Sequence, residues 1–301
     1  MRADSRSIIT FLLICLFLII KNPLIGEQLK DLKPPKPKKI PFVMEAHGVE
    51  RVDNYYWMRD DSRKKKSVIS HLKKENKYLE DWFALKKDSR KNIFKEITAR
   101  IPKKEESVPV RMGSYEYFRR YKTDKEYPIL IRREDKNAKE VIFLDVNKLA
   151  EGSDFYQLSN WSISPSENII AIAEDLTGRR QYKIRIKDLS SGFFLKDELT
   201  GTSGDMAWSA DGDFIFYVAR DPKTLLPFQV YRHRIGEKQS KDELIYKESD
   251  STFNVSVGNS RSMDFIEIDV SSTTSSEVML IDADKPLSKP KIFYKRVKDH
   301  L

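Results

Sequence analysis

The chain has 301 residues, of which 40% are hydrophobic and 34% charged, and its net charge is +9. The 46 acidic residues lie interspersed among 55 basic ones, and no recognition motif accompanies the charge, so nucleic acid is excluded as a partner. A lone cysteine, Cys15, rules out an intrachain disulfide.

The first feature in the chain is the run Ile8 to Ile20, apolar apart from Thr10 and preceded by Arg2 and Arg6. A bilayer span needs about 20 residues, so this run is short for one. It has instead the charged and apolar regions of a secretory signal, which places the signal at residues 1–26 and the mature protein in the periplasm or outside the cell. Lys21 follows the run directly, and Leu24-Ile25-Gly26 is a poor cleavage site. The alternative is therefore an uncleaved anchor that holds the protein to a membrane through residues 8–20. Residues 27–39 read as a linker, because Lys30, Lys33, Lys36, Lys38 and Lys39 alternate with Pro34, Pro35 and Pro37 in an extended polyproline-like composition.

Residues 40–106 read as a helical segment. Asp60, Asp61 and Ser62 supply N-caps for a helix from about Lys64 to Lys86, in which Ile69, Leu72, Leu79 and Phe83 fall near helical spacing. Asp88 or Ser89 caps a second helix with Ile93 and Ile97 on one side, and Pro102 stops it.

From Ser107 the period becomes strand-like, and a module of about 47 residues recurs. Trp161-Ser162-Ile163-Ser164 leads into Ile169 to Ala173, and Trp208-Ser209-Ala210-Asp211 leads into Phe214 to Ala219. A fainter copy, Val255-Ser256-Val257-Gly258-Asn259-Ser260, leads into Phe265 to Val270. Repeats of four strands at this spacing are propeller blades, which stack because one sheet cannot cover both its own faces. The reading is a mainly β fold over residues 107–301. A first blade holds Tyr115 to Arg119, Pro128 to Arg132 and Val141 to Leu144. The others cover Leu158 to Leu199, Asp205 to Lys247, and Phe253 to Lys295. Four blades can close on themselves as a small propeller; taken from a larger ring, they would leave the outward faces of the first and the last uncovered.

The residues offer little chemistry. No two glycines stand four or five apart, so neither a Gly-x-Ser-x-Gly elbow nor a phosphate-binding loop is present in these 301 residues. His47, His71, His233 and His300 are too scattered for ligand spacing, and each reads as a surface or packing residue; no metal, cofactor or catalytic residue is assigned. Asp60-Asp61 reads as a helix cap and Glu105-Glu106 as part of a charged loop ahead of the first blade. Arg179-Arg180 reads as a blade-to-blade or turn charge, with capture of a carboxylate as the alternative. Trp161 and Trp208, taken as equivalent in two modules, read as packing residues.

Asp53-Asn54-Tyr55-Tyr56-Trp57-Met58-Arg59-Asp60-Asp61 resembles the N-terminal signature of the prolyl oligopeptidase family of serine peptidases, in its oligopeptidase B branch. His71-Leu72-Lys73-Lys74-Glu75-Asn76, Arg100-Ile101-Pro102, Ala173-Glu174-Asp175 and Gly178-Arg179-Arg180-Gln181-Tyr182 agree in the same order. So do Thr224 to Val230, Thr273 to Val278, Leu280 to Ala283 and Arg296 to His300. The resemblance runs from about Ile40 to Leu301.

It implies a seven-bladed propeller that gates access to an α/β-hydrolase domain, with the helical segment packed on that domain. It also implies cleavage of short peptides after Lys or Arg by a Ser-Asp-His triad. None of the triad has a counterpart here, so the expectation is about four blades of such a propeller, without the hydrolase domain and inactive alone. The alternative is a stand-alone fragment that binds peptides or a partner protein.

Overall fold

The computed structural model describes residues 32–299. The apolar run at residues 8–20, Cys15 and His300 lie outside the described residues. No helix among the described residues is long and apolar enough to cross a membrane. The chain divides into two compact units, Met1–Pro102 and Lys103–Leu301.

The first unit opens on a hairpin, β1 (Phe42–Ala46) and β2 (Val49–Asp53), which corrects the reading of residues 40–106 as helical throughout. His47 and Gly48 form its turn, both at positive φ, as a two-residue hairpin loop with right-handed strand twist requires. The motif that follows is structural. Asp53 accepts the Tyr55 N–H, Tyr56 stacks on Phe42 with 4.0 Å between ring centroids, and the Trp57 indole donates to the Lys38 carbonyl at 2.7 Å. Asp60 accepts from Ser62 Oγ and from the Lys65 N–H, both at 2.6 Å, bracing the approach to α1 (Lys66–Ala84); the helix begins after Lys65 with no side-chain cap, so the expected capping by Asp60, Asp61 or Ser62 is not made. α2 (Lys87–Ala99) follows, ending ahead of Pro102. Neither helix buries any residue within this unit; Leu79, Phe83, Ala84, Ile93, Phe94 and Ile97 line one open concave surface.

The second unit is a stack of four blades. Blade 1 contains β3 (Glu105–Glu106), β4 (Val110–Met112), β5 (Tyr115–Tyr121), β6 (Pro128–Arg133) and β7 (Val141–Asp145), followed by the short α3 (Val146–Ala150). Glu105-Glu106 is therefore no loop: it pairs with Tyr121 and Arg120 as an edge of the first sheet. Blade 2 is β8 (Gln157–Ile163), β9 (Ile169–Asp175), β10 (Tyr182–Asp188) and the first part of β11 (Phe194–Trp208). β11 then runs on as the inner strand of blade 3, with β12 (Phe214–Arg220), β13 (Pro227–Arg234) and β14 (Glu243–Lys247). The two blades thus form one seven-stranded antiparallel sheet. The bend in β11 falls at Gly201 and Gly204, both at positive φ; a side chain at Gly204 would also press on the Tyr182 ring at 3.2 Å. Blade 4 is β15 (Asn254–Asn259), β16 (Phe265–Ser271), β17 (Ser276–Asp282) and β18 (Lys291–Tyr294).

The repeat is legible atom by atom at the inner hairpin of blades 2, 3 and 4. Ser164, Ser209 and Ser260 each donate a backbone N–H across the turn, to Ile169, Phe214 and Phe265 respectively, and each hydroxyl pairs with the side chain two residues on. This register makes Ile163 the counterpart of Trp208, and Trp161 the counterpart of Met206. The two tryptophans are thus two residues out of step, although both point toward the preceding blade. Trp161 packs on Tyr117 and Phe143 of blade 1, while Trp208 is fully buried against blade 2. The packing role stands; the equivalence does not.

Each seam joins the forward face of one blade, the face toward the next in sequence, to the backward face of its successor. Tyr117, Leu130 and Phe143 meet Ile170 and Ile172. Ala171, Ala173, Ile184 and Ile186 meet Met206, Trp208, Ile215 and Tyr217. Ala207, Phe216, Val218 and Val230 meet Val255, Val257, Ile266 and Ile268. Asparagines stitch the seams: Asn160 donates to the Gly204 carbonyl at 3.1 Å, and Asn259 exchanges two 2.8 Å bonds with the Trp208 backbone.

Candidate functional site

The loops after the second strands of blades 2 and 3 lie at the same end of the stack, where a propeller offers its surface to ligands. Asp175 closes the first by accepting the N–H groups of Thr177 and Arg180 and the Thr177 hydroxyl at 2.7–2.8 Å. Burial alone would raise its pKa, but these bonds lower it below the ordinary carboxylate value. Asp221 does the same for the second loop through Lys223 and Thr224, and the Thr224 N–H leads in lowering its pKa. Arg220 joins the two loops by donating to the Arg180 carbonyl at 2.8 Å, with its guanidinium over the Tyr182 ring. Arg179 and Arg180 are exposed beside it. Neither Arg179 nor Arg180 forms a blade-to-blade ion pair among the described residues; both are turn charges, and the link between blades runs through the Arg180 carbonyl, leaving two exposed guanidiniums as a basic rim able to hold a carboxylate and unable to cut a bond.

The buried charges are locks. His233, fully buried on β13, faces Asp242 at 2.7 Å through Nδ1 and Asp197 at 3.0 Å through Nε2. Burial opposes its charge, yet the hydrogen bonds and charges of the two aspartates outweigh that and raise its pKa. With a carboxylate on each nitrogen the ring has no free lone pair, so it cannot serve as a general base. It ties the outer part of blade 2 to the outer hairpin of blade 3, where Tyr217 also donates to Asp242 at 2.8 Å. Sequence reading found the histidine but not the aspartates, which lie 36 and 9 residues away in the chain. The other described histidines sit apart: His47 is exposed in the β1–β2 turn, and His71 lies against Trp57 and Glu75.

Two further clusters repeat the pattern. Glu174, 2% exposed, accepts from Tyr156 Oη at 2.9 Å and lies 2.6 Å from Arg185 Nε. Burial, then the Glu174 charge, pushes the Tyr156 hydroxyl well above its ordinary pKa. Arg296 reaches Glu248 at 2.5 Å and Glu277 at 3.4 Å over the Phe253 ring, and Ser275 Oγ donates to the Val297 carbonyl, which pins the segment after β18 to blade 4. Among the described residues no group of His, Cys, Asp and Glu is arranged to hold a metal ion. Glu174 and Arg296 belong to the sequence motifs singled out above, and both serve architecture.

A family model described as the N-terminal beta-propeller domain of prolyl oligopeptidase matches residues 34–300. Dipeptidyl aminopeptidase BI of Pseudoxanthomonas mexicana is 37% identical over 294 residues, a match covering 92% of this chain and 41% of that protein. Protease 2 of Moraxella lacunata is 36% identical over 265 residues, covering 85% and 38%. Among solved structures, oligopeptidase B from Leishmania major superposes with a TM-score of 0.81 at 29% identity, over 89% of this chain and 40% of that one. The chain thus spans about two fifths of the length of these relatives.

Proposed function

The chain belongs to the prolyl oligopeptidase family, as part of its N-terminal propeller domain, and from this we propose that it is the gating part of an oligopeptidase B-like serine endopeptidase acting on short peptides after Lys or Arg. One observation carries the reading: a blade stack matched along nearly its whole length by peptidase propellers, in which the buried ionic side chains act as struts. Its 301 residues hold no nucleophile elbow, so bond cleavage falls to the part of the relatives that the chain does not span. The open concave surface of α1 and α2, bearing Leu79, Phe83, Ile93, Phe94 and Ile97, is where that hydrolase part docks. The basic rim at Arg179 and Arg180 suits the carboxylate end of a peptide on its way in.

A chimera tests this, with the chain joined to the portion of the Moraxella lacunata protease that continues beyond the matched region. The chimera cleaves short fluorogenic Arg and Lys peptides and spares folded proteins, while the 301-residue chain alone cleaves neither. Digestion of folded protein as fast as peptide would end the gating claim, and release of N-terminal dipeptides would end the endopeptidase claim. We further propose export, from the apolar run behind Arg2 and Arg6. The mature protein then begins between Lys21 and Lys30, and recovery of intact Met1 from a cytosolic fraction by N-terminal sequencing refutes it.

A further inference from the structure

Glu267 and Asp269 stand on the forward face of blade 4, in β16. The hairpin register gives them counterparts in the other blades: Ala171 and Ala173 in blade 2, Phe216 and Val218 in blade 3. Those four are fully buried in apolar seams against the next blade. Blade 4 thus breaks the pattern at the two central positions of a face that otherwise keeps it. Around the two carboxylates lie Phe265, Val278, Leu280 and Tyr294, with Phe265 and Tyr294 exposed.

Cross-strand neighbours give the acids no help. Glu267 stands opposite Gly258 and Leu280, and Asp269 opposite Ser256 and Val278. Among the described residues neither carboxylate has an ion-pair partner within hydrogen-bonding reach. Asp269 is already desolvated enough that burial alone raises its pKa. The lysines in the neighbourhood, Lys285, Lys289 and Lys291, line the rim with Phe265 and Leu280, and Lys285 is engaged with Asp282 at 3.0 Å.

Covering this face with an apolar sheet, as in the other three seams, would strand two charges out of water, the costliest kind of burial. A second copy of the same face would oppose acid to acid. We propose that this face is a docking surface for a further β-sheet blade whose contacting strand presents a lysine or arginine to Glu267 and Asp269. The fourth seam is then joined by buried ion pairs set in an apolar surround. This deepens the family reading, since the longer relatives supply the residues from which such a blade is built.

The test co-expresses the tagged full chain with a separate polypeptide, the portion of the Moraxella lacunata protease beyond the matched region. Retention is measured as salt is raised. The wild-type chain retains the fragment, and retention weakens with salt. Glu267→Lys with Asp269→Lys lowers apparent affinity at least about tenfold, as charge reversal at a buried pair does. Lys291→Ala changes it little. If the lysine variant does not fold, Glu267→Gln with Asp269→Asn replaces it and shows a smaller loss in the same direction. Equal retention by the charge-altered chains overturns the proposal, as does no retention by wild type, or a self-dimer of the chain that Glu267→Lys leaves intact. Peptide hydrolysis by the retained complex is read separately, so a stable but inactive complex sinks the peptidase reading and leaves this one standing.

Discussion

Blades 1 and 4 each turn one face away from the stack, and the two faces are finished in different ways. On blade 1, Phe118, Ile129 and Ile131 are 1–5% exposed without a neighbouring blade. Arg120 and Arg133 lie over the Phe118 ring, and Arg120 grips Glu140 with two bonds at 2.8 and 2.9 Å while also pairing with Glu106 of β3. Arg133 pairs with Glu116 at 3.0 Å. The aliphatic stems of these arginines roof the apolar trio and their heads stay in water, matched in charge. On blade 4 the apolar residues stay open and the two acids go unmatched. The expectation that both outward faces lie uncovered therefore holds for blade 4 and for the margin of blade 1, where Ile142, opposite Ile131, is 50% exposed; the centre of blade 1 is roofed by side chains from its own strands.

Substitution on each face gives the most direct way to break this contrast. Ile131→Ala, in the sealed trio, removes fully buried methylenes and costs about 2–5 kcal/mol. Leu280→Ala, on the half-buried open face, costs less than about 1 kcal/mol because water already reaches the site. Urea denaturation of the two variants measures both, and equal losses would mean that the faces do not differ.

The smaller and more diagnostic effect is in pH. The Arg120 hydrogen bond lowers the pKa of Glu140, so its contribution to stability is present above the ordinary carboxylate pKa of about 4 and is lost as pH falls through the folded value. Asp269 has the opposite sign. Burial raises its pKa, so ionisation in the folded state carries a penalty that sets in as pH rises above about 4. Glu140→Gln therefore destabilises near pH 7 by less than about 1 kcal/mol, given the exposure of the pair, and has no effect near pH 3. Asp269→Asn stabilises near pH 7 and is neutral at low pH. Urea midpoints across pH 3–7 check the signs, and parallel curves would discard the contrast.

The sequence made the blades visible because a repeat writes the same period several times; the strand at Tyr182 to Asp188 shows in its alternation and the one at Phe214 to Arg220 in an unbroken apolar run. Register was harder. Trp161-Ser162 and Trp208-Ser209 look alike as letters, yet the turn serines that the backbone treats as equivalent are Ser164 and Ser209. A side-chain pattern of period two tolerates a two-residue slip without exposing either tryptophan. The β1–β2 hairpin is not legible in the sequence because its strands bury nothing and so carry no core-facing apolar stripe. Glu105-Glu106 reads as loop because a two-residue edge strand has no period. The His233 cluster is beyond reach for a different cause, since Asp197 comes from β11 and Asp242 from the turn before β14, and only the fold brings them together.

β11 makes blades 2 and 3 inseparable in a way the other neighbours are not. Blades elsewhere in the stack meet through side chains and, between blades 3 and 4, through a backbone bond from the Ala210 N–H to the Ala283 carbonyl at 2.9 Å, and can in principle part along a seam, as units in a linear array do. Between blades 2 and 3 a single strand carries backbone hydrogen bonds into both sheets, so parting them means breaking ladder bonds on one side or the other. The middle of the stack therefore melts as one cooperative block of seven strands, and fraying is confined to its two flanks. A propeller built this way has a keel, and a partner docking on blade 4 pulls against a flank anchored to it.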